Sequence, residues 1–242
     1  MLCILRYTCY MELYDILAEH YDELMSHFDY AAWSDVFVHL TAGHEITSVV
    51  DLACGTGALT AELVRRGYDT IGVDANADML SRAYERELDT LWLMQPLEEL
   101  DLYGTVDAAV CCLDGFNHFP DLRAVEQALS RVKLFLNPQG ILLFDMLAPQ
   151  HFDNIDGQAF INQNQDCFTA WECRIDGAHC HYDFTVFKRL GEQWRKFNCT
   201  HRQLMIAPND IEKMLQQLGF TVLWHDFQGG GPKRMFCLAK LP

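Results

Sequence analysis

Apolar positions recur at helical spacing over residues 14–28 and 30–40, placing Leu13, Leu17, Leu24, Trp33, Phe37 and Leu40 inward. A different rhythm then begins. Ile46 to Ala53 is a short apolar run that ends in Cys54-Gly55-Thr56-Gly57, and residues 58–66 read as a helix stopped by Gly67. Residues 70–73 predict a second strand closed by Asp74, and 76–86 a helix with Asn76 as its N-cap. Residues 91–94 and 106–113 predict the next two strands. A long amphipathic helix over 122–136 ends at Pro138-Gln139-Gly140, and 141–146 is the fifth strand. Strands alternating with helices of this length predict βαβ units and a parallel sheet. The runs VDAAVCCL and ILLFD are almost wholly apolar, as strands covered on both faces are.

After Pro149 the texture changes. Between residues 158 and 206 polar and apolar positions alternate in CFTAWECRI, CHYDFTVFKRL and QWRKFNCTHRQLMI, parted by Gly177 and Gly191. This predicts three antiparallel strands. Helix resumes over 208–218, with Pro208 at its start and Gly219 beyond its end. Strands over 220–227 and 234–241 flank Gly229-Gly230-Gly231. Residues 11–149 and 207–242 are thus expected to form one α/β unit, with 150–206 inserted as an antiparallel β lid.

The chain has 242 residues, 50% hydrophobic and 21% charged, which suits one α/β domain with an insertion and a sizeable core. Its net charge of −16 repels phosphates and argues against nucleic acid as a partner. No apolar run approaches the ~18–20 residues of a membrane span. Met1–Leu5 is shorter than the apolar stretch of a signal peptide, and Arg6 follows it. The ten cysteines include no C-x-x-C. A reducing cytoplasm is the expected compartment. Met11, where the polar helix-like stretch begins, is the expected start. Cys167, Cys173, His179, Cys180, His181, Cys199 and His201 crowd the insertion without paired ligand spacing, so no metal is expected.

The chemistry concentrates in Asp51-Leu52-Ala53-Cys54-Gly55-Thr56-Gly57, between the first strand and the first helix of the α/β rhythm. Glycines there let backbone approach a ligand, and the helix start offers unpaired N–H groups. A dinucleotide fingerprint needs a third glycine where Thr60 stands, and no Gly-Lys-Ser/Thr follows. Asp74, at the end of the second strand, is placed to accept hydrogen bonds from both hydroxyls of a ribose.

Asp51-x-x-x-Gly55-x-Gly57 followed by Gly72-Val73-Asp74 resembles the class I S-adenosylmethionine-dependent methyltransferases, from about Tyr14 to the end of the chain. Tyr14-Asp15, Tyr21-Asp22, Tyr30 and Trp33, then Leu113-Asp114-Gly115-Phe116-Asn117-His118, then Thr200-His201-Arg202, look like a bacterial small-molecule-type subfamily. The resemblance implies a Rossmann-like seven-stranded sheet with a reversed last strand, and S-adenosylmethionine as cofactor. It implies that Ala53, Gly55 and Gly57 pass under the methionine part, with Asp51 ordering the loop. Asp74 would hold the ribose, Ala75 and Met79 would lie beside the adenine, and Gln95-Pro96-Leu97 would border its edge. The family usually has an acid where Pro96 stands, so backbone, water or Glu98 must meet the adenine amino group. Leu113 and Asp114 would lie near the reactive methyl, with Tyr21 and Trp33 completing the cofactor contacts.

Methyl transfer needs in-line positioning and exclusion of water. A protonated acceptor also needs a base, for which His118, His201 and Asp114 are the candidates. His201 is preferred because it closes the insertion. The implied activity is methyl transfer to a small-molecule acceptor. Alternatives are a cofactor-binding protein without catalysis, which Pro96 suits, and a methyltransferase acting on protein or RNA. The acidic charge speaks against RNA. The Asn/Asp-Pro-Pro-Tyr/Phe signature of amino-group methylation is replaced here by Leu113-Asp114-Gly115-Phe116. The insertion is expected to roof the methionine end, with Trp171, Tyr182, Arg195, His201 and Arg202 offering contacts. A homodimer interface is its competing role.

Overall fold

The computed structural model describes residues 12–226 and 233–242. The expected start at Met11 and the glycines at 229–231 lie outside those residues. In chain order the elements are α1 (Glu12–Leu17), α2 (Tyr21–Leu24), α3 (Tyr30–Leu40), β1 (Ser48–Leu52), α4 (Ala58–Arg65), β2 (Asp69–Asp74), α5 (Ala77–Tyr84) and β3 (Leu91–Met94). Then come β4 (Val106–Cys111), α6 (Leu122–Leu134), β5 (Leu136–Leu147), α7 (Pro149–Ile155), β6 (Ala159–Gln163), β7 (Cys167–Asp176), β8 (His179–Leu190) and β9 (Gln193–Leu204). The chain closes with α8 (Pro208–Gln217), β10 (Thr221–Asp226) and β11 (Arg234–Lys240).

Seven strands form one sheet in the order β10-β11-β5-β4-β1-β2-β3. The strands from β1 to β5 pair in parallel, and β11 runs antiparallel to both β5 and β10. This is the expected α/β sheet with a reversed last strand. Its two faces carry separate cores. Val50, Ala109, Cys111, Leu142 and Phe144 pack with helices α6 and α8, through residues such as Leu129 and Leu215. Val49, Ala108, Val110, Cys112 and Leu143 pack with Trp33, Phe37 and Leu63 of α3 and α4. Adjacent Cys111 and Cys112 thus enter opposite cores, as alternation along a strand requires.

Four differences from the sequence reading stand out. The front helix over 14–28 is broken at residues 18–20 by a 3-10 turn. The break lets one short segment touch three partners: α5 through Asp15, the glycine loop through Asp22, and the inserted sheet through Leu13, Leu17 and Leu24. The insertion has four strands rather than three, ordered β6-β7-β8-β9. The fourth, β6, is a five-residue edge strand exposed along most of its length, so it shows no burial alternation. Strand β5 starts at Leu136, before Pro138-Gln139-Gly140, and a register irregularity opposite Val106–Ala108 takes up those residues. Finally, Pro149 opens the unpredicted helix α7, with proline in the first turn where its missing N–H costs nothing.

Gly72 shows how tightly the sheet's β2–β3 edge is packed. A Cβ there would lie 2.3 Å from ring carbon Cε3 of Trp92. Gly72→Ala should therefore cost about 1–3 kcal/mol through overpacking. Urea unfolding checks this, and Trp92→Leu in the Gly72→Ala background should recover part of the loss.

Candidate active site at the carboxyl ends of the central strands

The backbone is strained where β1 and β4 end. Ala53 has φ 52°, Leu113 has φ 60° and Asp114 has φ 53°. Left-handed residues other than glycine are uncommon, and such strain gathers at functional sites. Gly55 has φ 56°, and an added Cβ would meet nothing within 4 Å, so its surroundings are open. Ala53 and Ala75 are exposed on the same rim.

Asp74 ties this rim together. Its Oδ2 accepts the Gly55 N–H at 2.8 Å and its Oδ1 accepts the Asn76 N–H at 2.8 Å. Each carboxylate oxygen can take a second donor, so the group retains the capacity to bind a diol. Burial raises its pKa, and those backbone bonds work against the shift. Asn76 caps α5 by accepting the N–H of buried Met79 at 2.8 Å. Asp51 is buried and accepts the Thr60 hydroxyl at 2.6 Å. Burial drives its carboxyl up to about 7, against the Thr60 bond and with help from Asp74. Thr60, which breaks the dinucleotide fingerprint, thus serves Asp51. The loop is clamped from outside as well. The Thr56 hydroxyl donates to Asp22 at 2.5 Å, and Arg86 Nε donates to the Thr56 carbonyl at 2.6 Å.

A buried charge hub lies at the end of β4. Arg234 Nη1 donates to Asp114 Oδ1 at 2.5 Å and to Asp145 Oδ2 at 2.6 Å. Asp145 also accepts the backbone N–H of Leu113 at 2.8 Å and of Asp114 at 3.2 Å. It therefore pins the strained Leu113-Asp114 turn. Gln203 Nε2 donates to Asp114 Oδ2 at 2.6 Å, and the Tyr182 hydroxyl donates to Gln203 at 2.5 Å. Burial pushes the Asp114 carboxyl up, but the Arg234 guanidinium and His118 outweigh it and hold the group at about 2. For Asp145 burial wins over Arg234, and its carboxyl is raised.

Two histidines meet over this hub. His118 Nε2 is 3.4 Å from Asp114 Oδ2, while His118 Nδ1 is 2.9 Å from His201 Nε2. The Tyr14 hydroxyl reaches the same Nδ1 at 3.4 Å. Burial, then the neighbouring His118, lowers the His201 pKa to about 3, against the pull of Asp114. Tyr21 stands edge-on to Tyr14 with centroids 6.2 Å apart. Burial, with Asp114 nearby, raises its phenol above the ordinary range.

Three of the expected cofactor residues are engaged within the protein. Trp33 is 1% exposed, and its indole N–H donates to Asp145 at 2.9 Å. A buried indole needs such an acceptor. Gln95 spends its side chain on the backbone of Asp101, donating to its carbonyl and accepting its N–H. Leu97 is buried in the core, which leaves Pro96 as the exposed member of that trio. The sequence reading missed Arg234, Asp145, Arg86 and Gln203. The available signals were the arginine opening the otherwise apolar run of RMFCLAK and the acid ending the apolar run ILLFD.

The His201 shift has a consequence for stability. Its folded pKa of about 3 lies below the ordinary 6.5. Between those values the unfolded chain binds a proton that the folded chain refuses, so stability falls as pH is lowered from 6.5 toward 3. Asp114, held at about 2 against 3.8, adds a further loss below 3.8. Asp51 acts in the opposite sense, its raised pKa costing stability as pH rises from 3.8 to about 7. Urea titrations across this range should show a shallower acid loss for His201→Gln than for the parent chain.

Comparison with known proteins agrees with this geometry. A methyltransferase domain family matches residues 49–140. The chain is 31% identical over 217 residues to "Putative methyltransferase YqeM" of Bacillus subtilis, covering 87% of each chain. It is 28% identical over 157 residues to a glycine/sarcosine N-methyltransferase of Halorhodospira halochloris, covering 60% of this chain and 55% of that one. The crystal structure of an S-adenosylmethionine-dependent methyltransferase from Clostridium acetobutylicum superposes with a TM-score of 0.82 at 26% identity, covering 95% of this chain and 99% of the other. The open glycine loop bound to Asp74, the strained ends of β1 and β4 and the reversed β11 fit S-adenosylmethionine as cofactor, and the chain belongs to the class I S-adenosylmethionine-dependent methyltransferases.

Proposed function

We propose that this methyltransferase acts on a small-molecule acceptor. When bound, S-adenosylmethionine supplies a methyl group made electrophilic by its sulfonium. The observation that carries the reading is the 2.9 Å approach of His201, on the inserted sheet, to His118, after β4. It closes the insertion over the carboxyl ends of the central strands, and a site covered in this way suits a small acceptor better than a folded protein or an RNA helix. The glycine/sarcosine N-methyltransferase among the relatives supports the same size class. In this reading residues 11–149 and 207–242 bind the cofactor and 150–206 form the roof. Asp74 holds the ribose, with Gly55, Gly57 and Ala53 under the methionine part and Ala75, Met79 and Pro96 around the adenine.

Where the acceptor carries a proton, the histidine pair takes it. His118 is the proposed proton acceptor on geometry, since its Nε2 lies 3.4 Å from Asp114 Oδ2, which orients the ring. His201, kept neutral by burial, orients the pair. That reverses the preference drawn from sequence. The described cysteines are free thiols, which supports the cytoplasm as compartment, and no helix among the described residues is long and apolar enough to cross a membrane. The test is release of S-adenosylhomocysteine over a panel of small acids, amines and phenols, beside labelling of cell protein and RNA. Label entering macromolecules, with no small acceptor turned over, overturns the reading.

A further inference from the structure

The inserted sheet turns one face toward the rest of the protein, and that face is sealed in the middle of its strands except along one row. On one side α1 and α2 cover it, where Leu13, Leu17 and Leu24 pack on Cys167, Val186 and Cys199. On the other side α7 covers it, where Phe152 and Ile155 pack on Cys173, Cys180 and Tyr182. Between these two covers runs the cross-strand row Phe160–Trp171–Phe184. Trp171 and Phe184 remain partly exposed, and Phe160 is 36% exposed. Thr169, Tyr182 and Val186, their neighbours on the same face, are buried.

The rings of the row form a shingle. Phe160 and Trp171 have centroids 5.6 Å apart and planes 26° apart; for Trp171 and Phe184 the values are 5.5 Å and 27°. Stacked planes in contact lie closer than this, so each ring is displaced sideways and leaves part of its face bare. The shingle then continues inward. Phe184 meets Tyr182 at 6.3 Å and 26°, and Tyr182 meets His201 at 6.1 Å and 37°. His201 meets His118 at 4.9 Å and 40°. Cross-strand stacking alone stabilises a sheet. It does not require a row left open between two covers, with its Phe184 end against the buried Tyr182 that contacts His201.

We propose that this row is the acceptor's binding track, and that the acceptor is a planar aromatic molecule whose ring lies on Trp171 and Phe184 with its polar substituent toward His201 and His118. The proposal rests on the small-molecule reading above and narrows it to a substrate class. Rings and strip are both uncharged, so flat shape and apolar area do the recognising, and the polar end meets the hydrogen-bonding histidines.

Calorimetric titration of 1-naphthol tests it, with cyclohexanol and glycine as comparisons, on the protein alone and saturated with S-adenosylhomocysteine. We expect 1-naphthol to bind about tenfold more tightly than cyclohexanol, and Trp171→Ala to weaken it by about tenfold. Trp171→Phe, which keeps a ring, should retain most of the affinity. S-adenosylhomocysteine affinity should stay within about twofold in both variants. If Trp171→Ala fails to fold, Phe184→Leu carries the same expectation. Equal binding of 1-naphthol and cyclohexanol overturns the track, as does tighter binding of glycine, or unchanged 1-naphthol affinity in Trp171→Ala or, where that variant does not fold, in Phe184→Leu. Failure to bind S-adenosylhomocysteine counts instead against the cofactor site, and the titrations on the protein alone still decide the track.

Discussion

Arg234→Met should cost about 3–5 kcal/mol of folding stability, because it leaves two buried carboxylates facing each other without a cation. Arg234 bridges Asp114 and Asp145, which are 5% and 0% exposed. Two alternatives to disruption exist, and both are unfavourable: the carboxylates repel, or one takes up a proton and stops accepting the bonds that hold Leu113 and Asp114. For a chain of this size the loss corresponds to a fall in melting temperature of roughly 10 °C. Thermal and urea unfolding measure it. Adding Asp114→Asn and Asp145→Asn to Arg234→Met should recover much of the loss, since the uncompensated charge is then gone. A single variant as stable as the parent chain would mean that the hub carries little energy. Arg234→Lys should fall between, because one ammonium reaches both acids with poorer geometry than a guanidinium.

The second large effect is on cofactor binding. Asp74→Ala should raise the dissociation constant of S-adenosylmethionine by at least about tenfold. Charge-assisted hydrogen bonds are worth roughly 1.5–3 kcal/mol each, and the variant forfeits those proposed to the ribose as well as the Gly55 bond that shapes the loop. Folding should suffer less. Burial already penalises this carboxylate in the free protein, as its raised pKa indicates, so removing the charge returns part of what the lost backbone bonds cost. Asp74→Asn, which keeps one acceptor oxygen, should bind with intermediate affinity. Calorimetry on the three proteins, with melting curves alongside, separates binding from stability. Unchanged affinity in Asp74→Ala would reduce Asp74 to the end of a strand.

The glycine loop, Asp51 and Asp74 were legible because they are local: a strand, a turn and a helix start lie within a few residues, and glycine marks where backbone must turn left-handed. The parallel strands were legible for a similar reason, since burial on both faces leaves a run of apolar residues. The inward face of the insertion followed from period-two alternation, but β6 did not, because an exposed edge strand has no face to hide. The broken front helix was equally invisible. Its residues have helical spacing throughout, and only the need to meet α5, the glycine loop and the inserted sheet at once explains the break at residues 18–20.

By itself the sequence determined the alternation of strands and helices from β1 to β5, the sheet's parallel core, the glycine loop and the family, all of which follow from short-range periodicity and from residue types with few conformational alternatives. Tertiary structure alone decided the electrostatics. Arg234 meets Asp114 across 120 residues and Asp145 across 89, and His201 meets His118 across 83. A lone charged or ring side chain carries no period and no spacing rule that names its partner. Its partner is set by which strand ends the folded sheets bring together, and its charge by the burial and neighbours found there.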